Sequence, residues 1–182
     1  KNKYSENANI INVFTSNHGK VSGIVYGGNS RKIKNFLQIG NKIHIVYNAK
    51  NPNKIGYFKT ELITPISARF FNDKKRSSGI ISVTSILNSL LPELQINKEV
   101  FDKTNFLLSN FENDNWIILF IFWEYHLIQH LGFGLDLETL NKDKIKINDN
   151  EFSKIRIDGI YYNIPNFLIS NNVPSNIDLK LI

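Results

Sequence analysis

The sequence predicts an α+β protein in which a small N-terminal barrel or sandwich, residues 1–65, precedes a helical domain, residues 66–182, with a small irregular β subregion near 142–168. Three observations carry that prediction. Four short strand-like runs fill the first third of the chain, the apolar period becomes helical after Pro65, and the charge divides at the same place. Residues 1–65 hold 10 Lys or Arg against 2 Asp or Glu, a balance of +8, whereas residues 66–182 hold 12 against 14, a balance of −2.

ANIINVFT (8–15) and KVSGIVYG (20–27) are rich in β-branched residues and are separated by SNHG, in which Gly19 suits the left-handed position of a hairpin loop. The stretch GGNSRKIKNFLQIG reads as a loop. KIHIVYNA (42–49) then alternates Ile43, Ile45 and Tyr47 against Lys42, His44 and Val46, NPNK makes a turn, and GYFKTELIT (56–64) completes the set.

Beyond Pro65, Ile80, Val83, Thr84, Leu87, Leu90 and Leu91 recur at helical spacing behind Ser77 and Ser78 as caps, and Pro92 with Glu93 ends the run. A second helix, NKEVFDKTNFLLSNFE, begins at Asn97 and carries Val100, Phe101, Thr104, Leu107, Leu108 and Phe111 in one stripe. The third, residues 115–131, is apolar nearly all round in its first turns and stops at Gly132, which predicts a central place in a helix bundle. IKI, SKIRIDGIYYNIP and NFLI read as short extended pieces. Both ends look cut: the chain opens without Met on the polar KNKYSENA, and Ser175 with Asp178 has capping-box-like spacing too near the end for a helix.

Several chemistries are unsupported. With no cysteine, disulfides and thiolate metal sites are excluded, and a reducing cytoplasm is the expected compartment. The most apolar run, WIILFIFW, meets Glu124 well short of the roughly 20 residues a membrane helix requires, so no membrane association is expected. G-x-S-x-G is absent, as are the phosphate-binding motifs G-x-x-x-x-G-K-[ST] and G-x-G-x-x-G, and Gly27–Gly28 lacks a following helix that would aim amides at a phosphate. His126 and His130 are four apart on a helix but lack H-E-x-x-H or an obvious third ligand, so they read as ordinary helix histidines. No cofactor, no metal and no enzymatic activity are expected.

Polyanion binding has positive support. Between Glu6 and Glu61 no acidic residue occurs, while Lys20, Arg31, Lys32, Lys34, Lys42, Lys50, Lys54 and Lys59 do. A compositional bias toward Lys would not remove every acid from one segment. These cations are interleaved with Tyr26, Phe36, Tyr47, Tyr57 and Phe58, as a binder of single strands requires, because cations neutralise phosphates while flat rings stack on bases. Strand alternation turns about half of the rings into the core, whereas Lys and Arg are rarely buried without a partner. The candidate nucleic-acid contacts are therefore Lys20, Arg31, Lys32, Lys34, Lys42, Lys54, Lys59 and the ring of Tyr47.

FTSNHGKVSGIVYGGNSRK, then LQIGN, then a helical block containing LLP, then YHLIQHLGFGLDL stand in an order that resembles the bacterial recombination mediators of the RecO family. The resemblance covers most of the chain and implies an OB-fold barrel followed by a helical domain. It also implies that a first strand of E-G-I-V-L type is missing before Lys1 and a helical region after Ile182. Proteins of that family bind single- and double-stranded DNA, anneal complementary strands, contact the acidic C-terminal tail of single-stranded-DNA-binding protein and, with RecR, help load RecA. The turn His18–Gly19–Lys20 and the loop residues Arg31, Lys32 and Lys34 would then line the DNA face, the role of His18 remaining open.

Many relatives carry cysteines after the segment matching GFGLDL, some in a zinc module, but ETLNKDKIKIND has none. That subregion is expected to rely on apolar residues such as Phe152, Ile155, Ile157, Tyr161 and Phe167 instead. Gly132 suits the left-handed end of a Schellman-type stop, with Phe133 or Leu135 folding back. The expected function is a non-enzymatic mediator of DNA repair and recombination, cytoplasmic and nucleoid-associated. A general OB-fold RNA-binding or ribosome-associated factor is the alternative, and a metal-dependent hydrolase using His126 and His130 is a third reading.

Overall fold

The computed structural model describes residues 2–133, except 29, 50, 52 and 53, and the backbone of two strands at 152–157 and 160–165. The chain forms two compact units, Lys1–Trp116 and Ile117–Ile182.

The first unit opens with five strands: β1 (Asn2–Ser5), β2 (Ala8–Thr15), β3 (Gly19–Tyr26), β4 (Lys42–Asn48) and β5 (Tyr57–Thr64). Their order across the sheet is β1-β2-β3-β5-β4, antiparallel except for β3 beside β5. A short helix, α1 (Arg31–Phe36), connects β3 to β4. A five-stranded Greek-key sheet of this kind is an OB-like architecture. Among the described residues β4 does not pair with β1, so the sheet stays open.

β2 and β3 pair in continuous register from Ala8↔Tyr26 to Thr15↔Gly19. Gly19 has φ +67°, the left-handed turn position expected of it. Thr15 closes the turn: its Oγ1 accepts from the backbone N–H of His18 at 3.1 Å and donates to the carbonyl of Gly19 at 3.0 Å. Period-two alternation sends Val21, Val25, Ile11 and Phe58 into one core, against which Val13, Ile43 and Ile45 pack. Ile33 and Leu37, four apart at the end of the chain's first helix, close that core.

Two local expectations give way to the fold. The stretch expected to be a loop contains α1, because Ser30 caps it and because Ile33 and Leu37 gain burial only once the sheet exists. Gly27–Gly28 therefore does have a helix downstream. The polar opening KNKYSENA, which carries no strand alternation, yields β1 through pairing with β2, with a bulge between Lys3 and Ser5.

After Pro65 come α2 (Ile66–Arg69), α3 (Lys74–Leu90) and α4 (Lys98–Ser109). α3 starts earlier than the Ser77–Ser78 caps would place it. Asp73 occupies the N-cap and accepts from the backbone N–H of Arg76 at 3.0 Å. Asn97 occupies the N-cap of α4, but its side chain makes no capping bond. The aromatic centre of this part is Phe111, fully buried, with Phe70 at 6.3 Å and Trp116 stacked at 4.9 Å between ring centroids.

α5 (Trp116–His130) buries Trp116, Leu119, Trp123 and Leu127, a one-sided stripe, while Ile117 is 51% exposed, so the helix is not enclosed all round. It ends in a Schellman motif: Phe133 N–H donates to Ile128 O, Gly132 N–H donates to Gln129 O, and Gly132 has φ +83°. Phe133 does not fold back, being 72% exposed. In the second unit β6 (Phe152–Ile157) and β7 (Ile160–Pro165) form an antiparallel hairpin, matching SKIRIDGIYYNIP. The expected extended pieces IKI and NFLI, Leu135, the side chains of Phe152, Ile155, Ile157 and Tyr161, Phe167 and the Ser175–Asp178 cap lie outside the described residues.

Candidate nucleic-acid interface

The basic residues of the N-terminal sheet divide by what their side chains touch. On α1 the Ser30 hydroxyl caps the first turn, accepting from Ile33 N–H, and the inward aim of Ile33 and Leu37 leaves Arg31 and Lys34 exposed to solvent. Lys34 lies in the last turn, where a cation also suits the helix dipole. The side chain of Lys32 lies outside the described residues. On β5, Lys59 stands opposite Val46 and points away from the core that holds its neighbour Phe58. Lys54 is exposed in the β4–β5 connection. Arg31, Lys34, Lys54 and Lys59 have no side-chain partner among the described residues.

Three other candidates are engaged within the fold. Lys20 Nζ donates to the carbonyl oxygen of Asn88 in α3 at 2.7 Å, and Lys42 Nζ donates to Asn105 Oδ1 in α4 at 2.9 Å. Tyr47 lies on the inward face with Ile43 and Ile45. Its ring is 5.4 Å from that of Phe58, and its hydroxyl accepts from Gly56 N–H at 3.1 Å. Tyr47 is nonetheless 46% exposed. His18 is exposed in the β2–β3 turn, next to neither Arg31 nor Lys59 in the sheet register. The candidates therefore do not converge on one point; they spread over α1, the β4–β5 connection and the outward face of β5.

Sequence reasoning missed two clusters. Around Lys20, Ser22 Oγ donates to Glu93 Oε1 at 2.6 Å, Asn12 Nδ2 donates to Asn88 Oδ1 at 2.8 Å, and Leu94 N–H donates to Lys20 O at 2.9 Å. Nothing local signals these bonds, in which side chains reach groups 68 to 76 positions away. Around Arg76, Nε donates to Phe111 O at 2.6 Å and Nη1 bonds Asp73 Oδ2 at 2.7 Å, tying the start of α3 to the turn after α4. Here the spacing Asp73–Arg76 at a helix start was a usable signal.

Asp73 is held below the ordinary carboxylate value, first by the backbone N–H of Arg76 and then by its guanidinium. Glu124 in α5 is raised by burial. No group of three or more His, Asp or Glu side chains able to hold a metal occurs among the described residues, His126 and His130 included. No helix among them is long and apolar enough to cross a membrane.

Residues 1–66 match the family described as Recombination protein O N terminal, and residues 72–160 match Recombination protein O C terminal. A protein of Roseobacter denitrificans named DNA repair protein RecO is 34% identical over 138 residues, 75% of this chain and 57% of that relative. One of the same name from Wolbachia sp. subsp. Drosophila simulans is 34% identical over 148 residues, 80% of this chain and 61% of the relative. Another, from Jannaschia sp., is 32% identical over 135 residues, 74% of this chain and 55% of the relative. The chain thus spans roughly three-fifths of the length of the curated relatives it matches.

Proposed function

The chain belongs to the RecO family, and from that premise we propose that it is a DNA-binding mediator of repair and recombination. The observation that carries the reading is the acid-free stretch between Glu6 and Glu61, folded as an OB-like sheet, from which Arg31, Lys34, Lys54 and Lys59 project without protein partners among the described residues. Lys32, on the same helix as Arg31 and Lys34, is proposed as a further DNA contact.

Such a surface neutralises phosphates without reading bases. Bound to two single strands at once, it lowers the repulsion between complements and so promotes annealing. Residues 1–65 act as the DNA-binding domain for single and double strands, and Lys20 and Lys42, engaged with Asn88 and Asn105, contribute by placing the sheet on the helices while Tyr47 adds its ring at the sheet edge. No catalytic step is required. In this reading the protein works in the cytoplasm at the nucleoid, contacts the acidic tail of single-stranded-DNA-binding protein, and with RecR assists the loading of RecA.

The test is annealing of complementary DNA strands coated with single-stranded-DNA-binding protein. Acceleration by the 182-residue chain is expected. Binding to DNA without acceleration overturns the mediator role, and a preference for structured RNA in direct competition overturns the choice of DNA.

A further inference from the structure

We propose that the outward face of β3 and β5 carries a stacking site for unpaired nucleobases, formed by Tyr26 and Tyr57 with Lys59 beside them. This deepens the DNA-binding reading and rests on it. Because Val21 and Val25 point into the core, the alternation of β3 puts Lys20, Ser22, Ile24 and Tyr26 on the other face. Phe58 likewise points inward, which turns Tyr57 and Lys59 outward on β5. The parallel register Ile24↔Tyr57 then brings the two tyrosines together, their ring centroids 6.0 Å apart and their planes inclined by 58°.

Tyr26 is 61% exposed. Neither tyrosine hydroxyl has a hydrogen-bond partner among the described residues. The exposed ring of Tyr26 and the half-buried ring of Tyr57 beside it, neither part of the apolar core, form an aromatic surface.

The other end of the same face is already covered. Side chains and backbone from the helical part meet it there: Asn88 accepts from Lys20 and Asn12, Glu93 accepts from Ser22, and Phe101 meets Phe14 edge-on at 5.6 Å. A strand of nucleic acid laid on the sheet is thereby directed to the Tyr26–Tyr57 end. Charge favours that end too. Lys59 is the next outward residue after Tyr57, and α1, with Arg31 and Lys34 exposed, begins five residues after Tyr26. Glu61, two residues beyond Lys59 and opposite His44, marks where the anion-compatible surface ends.

The chemistry selects for single strands. Phosphates on Lys59 place bases over the rings, every base offers a π-face so sequence matters little, and the bases of a duplex are already stacked on one another.

The experiment is a titration of the whole chain with a labelled oligothymidylate and with an abasic strand of the same length and charge. Wild type is expected to hold the base-containing strand about tenfold more tightly. Y26L/Y57L should lose that preference while keeping its affinity for the abasic strand, Y26F/Y57F should keep the preference, and K59A should instead lower the single-strand salt slope by about 0.7. Because a double substitution can disturb the sheet, photocrosslinking of wild type to a 5-bromodeoxyuridine strand supplies a second readout, with adducts expected at Tyr26 or Tyr57. Retention of the base preference in a folded Y26L/Y57L, or adducts confined elsewhere, overturns the stacking site and leaves DNA binding standing. Failure to bind any strand at low salt overturns both.

Discussion

Lys20 Nζ donates to the carbonyl oxygen of Asn88 at 2.7 Å, so a cation on β3 closes the last turn of α3. The final carbonyls of a helix lack partners within it, and positive charge is favourable there. Lys20→Met should therefore destabilise the protein by about 1 kcal/mol in denaturant unfolding. It should leave the salt dependence of single-strand binding near wild type. R31A/K34A should do the reverse, lowering the slope by about 0.7 for each phosphate no longer neutralised, with little effect on stability. A flattened slope in K20M would move the DNA to the β2–β3 turn.

Gly19 combines φ +67° with a position where an added Cβ would overlap the backbone carbonyl of Gln95. Gly19→Ala should cost about 2–5 kcal/mol, the sum of left-handed strain and a clash with backbone that cannot swing aside. Thermal unfolding measures it. A loss of no more than about 1 kcal/mol, the cost of left-handed strain alone, would mean that the 93–95 segment does not seat beside β3.

Gly79 lies inside α3, where Gly→Ala ordinarily gains close to about 1 kcal/mol. Here a Cβ would stand 2.7 Å from the Trp116 ring and 2.9 Å from that of Phe111. Gly79→Ala should lower stability rather than raise it, by about 1–3 kcal/mol, and shift the tryptophan fluorescence as the stacked pair moves. An increase in stability would contradict this packing.

Arg76 joins Asp73 to the carbonyl of Phe111, and Arg76→Met should cost about 2–4 kcal/mol by leaving partly buried acceptors unpaired. Asp73→Asn gives the pH signature of the same cluster. Because the folded protein holds this carboxyl below its ordinary 3.8, the ionised form is the one the fold favours. Its contribution is complete above that value and is lost as pH falls through the lower folded value. The stability difference between wild type and D73N should therefore be constant near neutrality and shrink in strong acid. A difference that widened on acidification would reverse the assignment.

Local patterns made much of the fold legible. β2 lies at 8–15 as read, because alternation, β-branching and the SNHG turn agree with one another, and β4 and β5 follow for the same reason. α4 and α5 follow from apolar periods of more than two turns. α1 offers only Ile33 and, just past its end, Leu37 as apolar anchors, too short a signal to stand alone, since a helix of this length forms by packing and not by propensity. The start of α3 was hidden in the polar run KKRSSG, where only Asp73 and Arg76 mark the boundary.

By itself the sequence determined the strand-then-helix order, the four main strands and the concentration of uncompensated positive charge in the first 65 residues, because each is a property of near neighbours along the chain. Only the tertiary structure decided which cations are available. Lys20 and Lys42 find acceptors 68 and 63 residues away in helices, while Arg31, Lys34 and Lys59 project from surfaces where the described residues place no acceptor. The same packing covered one end of the β2–β3 face and left Tyr26 exposed beside the half-buried Tyr57 at the other. A side chain's hydrogen-bond partner is set by which elements the hydrophobic core brings together, and that choice is made across the whole unit rather than within any stretch of sequence.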